Sequence, residues 1–228
     1  MPNVTNKSVN IQKLALTALF TALVIVFQML GQFIRFGTFQ IALVLAPIII
    51  GAALCGIKTG VWLGFVFGAV VLLNGDATLF LAWNVPGTII TVLVKGILCG
   101  LTAAVVYKLL EKHNKLFAAI VAAIACPIVN TGVFVLGCRI FFYNDIAKMA
   151  IDSGFSSPVA LIFLGFVGGN FIFELITNLI LAPTITTVLK AIKGLRLLNE
   201  NLKQKNKPSE KPKAFYFFVY FLLNYSTK

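Results

Sequence analysis

Asn170, Glu174 and Asn178 recur four residues apart inside the apolar run 170–183, NFIFELITNLILAP. On a helix this spacing stacks the three polar side chains along one face and leaves Phe171, Ile172, Leu175, Ile176 and Leu179 to cover the rest. A carboxylate inside such a run faces a bundle interior or a water-filled cavity rather than lipid, and it marks a functional-site hypothesis by default. Lys95 is the matching cation within another apolar run. Counted from the starts of their segments, Lys95 and Glu174 differ in depth by only about 5 Å. Two readings follow for them: a structural ion pair, or a site that meets a ligand.

Other chemistry is excluded by what the sequence lacks. The single histidine, His113, sits in a charged turn, so neither a histidine-based triad nor a metal cluster can be assembled. The stretch from Gly51 through Gly56 to Lys58 and Thr59 resembles a phosphate loop only loosely, because Ile57 separates glycine from lysine and the context is a helical turn. Cys55, Cys99, Cys126 and Cys138 have no paired spacing and read as small hydrophobes, with Cys138 placed as a free thiol near one membrane face. An enzyme is therefore not expected, and no cofactor or metal is implied.

The elements that must position Lys95 and Glu174 are membrane helices. Of 228 residues, 59% are hydrophobic and 11% charged, and mean hydropathy is +0.96, well beyond an ordinary soluble domain. The expectation is an all-α membrane protein, a bundle of six transmembrane helices. Its spans are placed at Ile11–Gly31, Gln40–Cys55, Thr59–Leu73, Leu79–Leu109, Leu116–Phe142 and Pro158–Ile192, with a polar loop over 143–157. Three parts are expected: a polar leader over 1–10, a transmembrane substrate-binding domain over 11–193, and a basic, disordered tail over 194–228 ending in the aromatic run 214–225. Gly60, Gly64 and Gly68 on the third span, and Gly96 with Gly100 on the fourth, form the small-residue stripes that let helices approach closely in lipid.

Basic residues orient the chain. With the N-terminus inside, fourteen of the nineteen Lys and Arg residues fall on the inner side, and only Arg35, Arg139 and Lys148 on the outer. The excess of positive charge marks the cytoplasmic face, so both termini are expected there. The net charge of +12 is then an attraction to anionic inner-leaflet lipid and not a nucleic-acid patch. Trp83, Asn84, Asn130, Arg139 and Asn170 fall in the outer halves of their spans, where they could line a pocket suited to a small amphipathic acid.

Four stretches carry a family resemblance: Ala18–Ala22 (ALFTA), Leu45–Gly68 (LAPIIIGAALCGIKTGVWLGFVFG), Asn130–Gly137 (NTGVFVLG) and the run from Asn170 to Pro183. In order, on a six-helix frame, they resemble the substrate-binding S component of an energy-coupling factor (ECF) vitamin transporter, of the riboflavin, folate and pantothenate group. The resemblance implies capture of a water-soluble vitamin, an acid such as pantothenate being one candidate. It implies a transmembrane coupling (T) protein and two cytoplasmic ATPases as partners in the plasma membrane. It also implies that Ala18 and Ala22, a shallow strip on the first span, dock on the coupling helices. The outer ends of the last three spans and the first outer loop would enclose the ligand. A self-sufficient ion-coupled carrier is the alternative, although the chain offers only Lys95 and Glu174 as titratable groups at depth.

Overall fold

A segment that crosses lipid must satisfy its own backbone hydrogen bonds, which favours helices for apolar runs of this length. A computed structural model describes residues 4–33, 35–36, 39–40 and 43–205. Its elements are α1 (Val4–Phe33), β1 (Arg35–Phe36), β2 (Phe39–Gln40), α2 (Leu45–Cys55), α3 (Ile57–Leu73), α4 (Thr78–Trp83), α5 (Val85–Leu110), α6 (Lys115–Phe141), α7 (Tyr143–Asp152) and α8 (Pro158–Ala160), followed by a π-helical stretch Leu161–Val167 that runs into α9 (Gly168–Lys205). Among the described residues, four helices, over Ile11–Gly31, Val85–Leu110, Lys115–Phe141 and Pro158–Ile192, are long and apolar enough to cross a membrane. The chain is an all-α membrane protein whose described strands are two short antiparallel partners, Arg35 opposite Gln40 and Phe36 opposite Phe39.

The long elements alternate in direction. Cys55 Sγ lies against the Lys13 carbonyl at one end of α1 and α2, whereas Gln28, near the other end of α1, reaches Asp76 beyond α3. One extensive apolar core joins α1, α2, α3, α5, α6 and α9. A second cluster gathers Cys138, Phe142, Ile146, Leu161, Ile162 and Val167 with Phe80, Phe134 and Phe166.

Helices α3 and α5 approach each other backbone to backbone. A Cβ added at Gly64 would land on the Gly96 carbonyl oxygen, one at Gly96 on that of Gly64, and one at Gly100 on that of Gly60; at Gly68 it would meet the Val92 oxygen at 2.8 Å. In lipid, where no hydrophobic force drives helices together, such small-residue contact is what allows dispersion and packing to hold them. The glycine stripes thus act as packing surfaces between these two helices.

Several boundaries differ from the sequence expectation, each for a local reason. The leader joins α1, which begins at Val4. Gln40 belongs to β2 and α2 starts only at Leu45; its 11 residues make about 16 Å, far short of a bilayer. A single glycine, Gly56 at φ 88°, separates α2 from α3, so the turn expected over 56–58 shrinks to one residue, glycine being able to adopt that φ without strain. The fourth span divides at Asn84 because Asn84 leaves helical geometry (φ −153°, ψ 99°) to cap α5, with Pro86 in the first turn. The polar loop over 143–157 contains α7, whose Ile146 and Ala150 are buried. Cys138 is a free thiol, buried in the second cluster. Helix α9 continues to Lys205, past the expected boundary at Lys193, because residues 195–205 are rich in the helix formers Leu, Arg, Glu, Gln and Lys. The segment from 206 onward, the aromatic run 214–225 included, lies outside the described residues, as does part of the first loop.

The α3–α5 contact is directly testable. Gly64→Val forces the two backbones apart and is expected to destabilise the detergent-solubilised protein by about 1 to 3 kcal/mol, seen as a lower unfolding temperature. Gly132→Ala is the control, because nothing lies within 4 Å of a Cβ there. Equal unfolding temperatures for both variants would show that the stripe does not set the packing.

Candidate ligand cavity

Where the two apolar clusters meet, the bundle forms a partly open cavity of about 460 Å³, within the size range of small-molecule sites. It draws its walls from α1 (Gln28), α3 (Phe67), the α3–α4 turn (Asp76), α5 (Lys95), α6 (Asn130) and α9 (Glu174). The expected polar face of α9 is realised: Asn170 and Glu174 line the cavity, and the Asn178 side chain one turn further on is fully buried, donating from Nδ2 to the Glu174 carbonyl at 2.7 Å.

Three ionisable groups share the space. Glu174 is buried and accepts a hydrogen bond from Asn130 Nδ2 at 3.2 Å on Oε1. Asn130 Oδ1 is buried without a hydrogen-bond partner. Lys95 does not form a direct ion pair with Glu174; its Nζ lies over the Phe67 ring and the Phe134 ring, 5.8 Å from each centroid. A cation over ring faces is held by the ring quadrupole, an attraction that grows as water is removed. Asp76 Oδ2 accepts from Gln28 Nε2 and from Asn74 Nδ2, each at 2.9 Å, which ties the end of α1 to the turn after α3.

The aromatic wall has Phe80 at its centre. Its ring meets Phe134, Phe142, Phe166 and Trp83 at centroid distances of 5.3, 5.1, 5.6 and 5.4 Å, all edge-on. Edge-to-face pairs of this kind stabilise by about 0.5 to 1.5 kcal/mol beyond burial. The π-helical stretch supplies Gly165, Phe166 and Val167 to the same wall; such distortions recur at functional sites because they re-aim side chains.

Of the residues singled out from the sequence, Lys95, Asn130, Asn170 and Glu174 come together in the cavity and Trp83, Asn84 and Arg139 do not. Trp83 packs on the edge of Phe80. Asn84 spends its side-chain oxygen on Gly87 N at 2.9 Å as the cap of α5. The Arg139 guanidinium stacks on Tyr143, 4.4 Å from the ring centroid. Ala18 and Ala22 are exposed on α1, away from the cavity. Sequence reasoning missed Gln28 and Asp76. Gln28 carried a usable signal, a lone amide in an apolar run, whereas Asn74-Gly75-Asp76 reads as an ordinary turn and its partner on α1 is remote in sequence.

Asn130→Ala removes the donor to Glu174 and leaves a buried carboxylate short of a partner, at an expected cost of about 1 to 3 kcal/mol. Thermal unfolding of the variant and of Asn130→Ala combined with Glu174→Leu checks this. The double variant should be less destabilised than the sum of the two singles, and strict additivity would mean the hydrogen bond contributes nothing.

No curated protein and no solved structure gives a match to this chain. A family model described as "ECF transporter, substrate-specific component" matches residues 12–186, a range that contains every wall of the cavity. The chain therefore belongs to the family of substrate-specific components of ECF transporters.

Proposed function

We propose that the chain captures a water-soluble vitamin or related small molecule on the outer side of the plasma membrane and releases it through a transmembrane coupling protein driven by two cytoplasmic ATPases. The observation that carries this reading is the aromatic cavity holding Lys95, Glu174 and Asp76, inside a chain of a transporter-component family. Its shape and lining suit a small amphipathic compound: apolar walls hold the body and a few fixed polar groups orient it. Residues 11–193 would form the binding domain, in which the four long helices cross the membrane and α2, too short to span it alone, packs among them.

The basic residues support an orientation with both termini inside. In that frame Gly56, between α2 and α3, lies on the cytoplasmic side and Asp76, at the far end of α3, on the outer side. Lys95, ten residues into α5, is then about 15 Å in from the outer end of that helix. A ligand entering beside Asp76 would reach Lys95 and Glu174 without crossing the bundle. Coupling would be left to α1, where Ala18 and Ala22 are exposed and Thr17 and Thr21 turn toward α3, Thr17 to Thr59 at 3.2 Å and Thr21 to Trp62 at 3.1 Å. A strip of small side chains facing outward lets a partner helix approach closely.

Replacing both Ala18 and Ala22 by Trp is expected to abolish co-purification of the coupling protein and ATP-driven uptake, with the unfolding temperature of the isolated protein unchanged. Normal assembly of the double variant would remove the strip from the docking surface. A lower unfolding temperature would place it in the internal packing instead.

A further inference from the structure

A second recess lies at the opposite end of α1 from Gln28. It sits between α1, α2 and α5, measures about 230 Å³, is open on one side, and is bordered by Lys13, Cys55, Gly56, Tyr107, Lys108 and Glu111, with alanine and leucine forming the rest of its wall. Lys13 reaches across the turn between α2 and α3, its Nζ 4.0 Å from where a Cβ on Gly56 would stand. Lys108 is in the last turn of α5. Tyr107, one residue earlier, is buried, and its hydroxyl has no hydrogen-bond partner among the described residues. Lys58, Lys112 and Lys115 are exposed at the same end of the bundle. We infer that this recess binds the phosphate headgroup of an anionic phospholipid, drawn from the leaflet at the lysine-rich end.

Three observations converge on that chemistry. The first is the kind of group on the wall. Cys55 Sγ is turned to the Lys13 carbonyl, and Glu111 has a partner of its own. Two ammonium groups and a phenolic O–H remain to meet an occupant, and a phosphate oxygen accepts from both kinds of donor. A buried hydroxyl that bonds to nothing costs stability, and an acceptor brought into the recess removes that cost. The second is size. Pockets that take in a whole small molecule measure about 300 to 1,000 Å³, so this smaller, open recess suits the end of a larger molecule. The third is position. Ile11 and Leu14 flank Lys13, and Leu109 follows Lys108, all three with exposed apolar side chains. In a chain that crosses a membrane these side chains meet hydrocarbon, which puts the lysines beside them at headgroup level. Acyl chains would cover the exposed leucines while the headgroup fills the recess, a use that a free phosphate does not make of them. Basic pockets between transmembrane helices hold anionic headgroups in this way.

The test is native mass spectrometry of the purified full-length protein, freed of lipid in detergent and offered equal amounts of phosphatidylglycerol and phosphatidylcholine of the same chain length. Phosphatidylglycerol should be retained over phosphatidylcholine by about tenfold or more, the scale set by two lysines beside one headgroup. Lys13→Gln combined with Lys108→Gln should remove that preference. Tyr107→Phe should reduce it several-fold and leave the lipid-free unfolding temperature unchanged, because it deletes a hydroxyl that bonds to nothing in the protein. Lys115→Gln, at the same end of the bundle and outside the recess, should keep it. A wild-type protein without the preference overturns the inference, and this comparison stands even if a variant fails to fold. An equal loss from Lys115→Gln also overturns it, since diffuse attraction between charges would then account for retention. Glycerol phosphate, offered alone, should not bind measurably; binding as tight as that of the lipid would make the recess a site for free phosphate and the lipid assignment wrong. Loss of the co-purifying coupling protein from the double lysine variant, with lipid preference intact, would assign the recess to an acidic segment of the partner and overturn the inference as well.

Discussion

The backbone contact between α3 and α5 is the constraint on which the rest of the structure depends. Gly60, Gly64 and Gly68 face Gly96 and Gly100 so closely that carbonyl oxygens occupy the space a methyl group would need. Because lipid offers helices no hydrophobic reason to associate, a pair that fits this tightly defines a rigid seam to which others can be fitted. The seam also sets the site. Phe67 and Val71 leave α3, and Val92 and Lys95 leave α5, from positions beside the glycines, and all four reach the cavity. Without that register Lys95 could not sit over Phe67.

From this seam the polar chemistry follows by exclusion. A lysine and a glutamate near mid-membrane must turn inward, and inward is the space that α3, α5, α6 and α9 leave between their two apolar clusters. There the ammonium is met by ring faces and the carboxylate by an amide, instead of by each other. A direct ion pair would have consumed both groups. Keeping them apart leaves both groups on the cavity wall.

How much of this was legible in the sequence depended on whether the signal was local. The four-residue spacing of Asn170, Glu174 and Asn178 fixed the polar face of α9, and the glycine stripes identified surfaces that the structure brings into contact. Elements that hinge on one residue's backbone were less visible. Asn84 reads as a polar group near a membrane face, yet its oxygen caps a helix, so a residue that looks free to bind is already occupied. Arg139 misled for a similar reason: its charge is engaged by the neighbouring Tyr143 ring. Asp76 was hidden because its partner Gln28 is 48 residues away, a distance that no periodicity within one helix reveals.

The arrangement also places two different surfaces along the same helix. α1 gives its Gln28 end to the cavity, through the hydrogen bond to Asp76, and its Ala18 and Ala22 positions to the exterior. Ala22 and Gln28 are six residues apart, about 9 Å along the axis, and the helix between them is continuous. Two sites joined by one packed element can bias each other only if that element has two positions. Among the described residues, α1 is held in the position seen here by the Gln28–Asp76 hydrogen bond at one end and by Thr17 and Thr21 on α3 nearer the other.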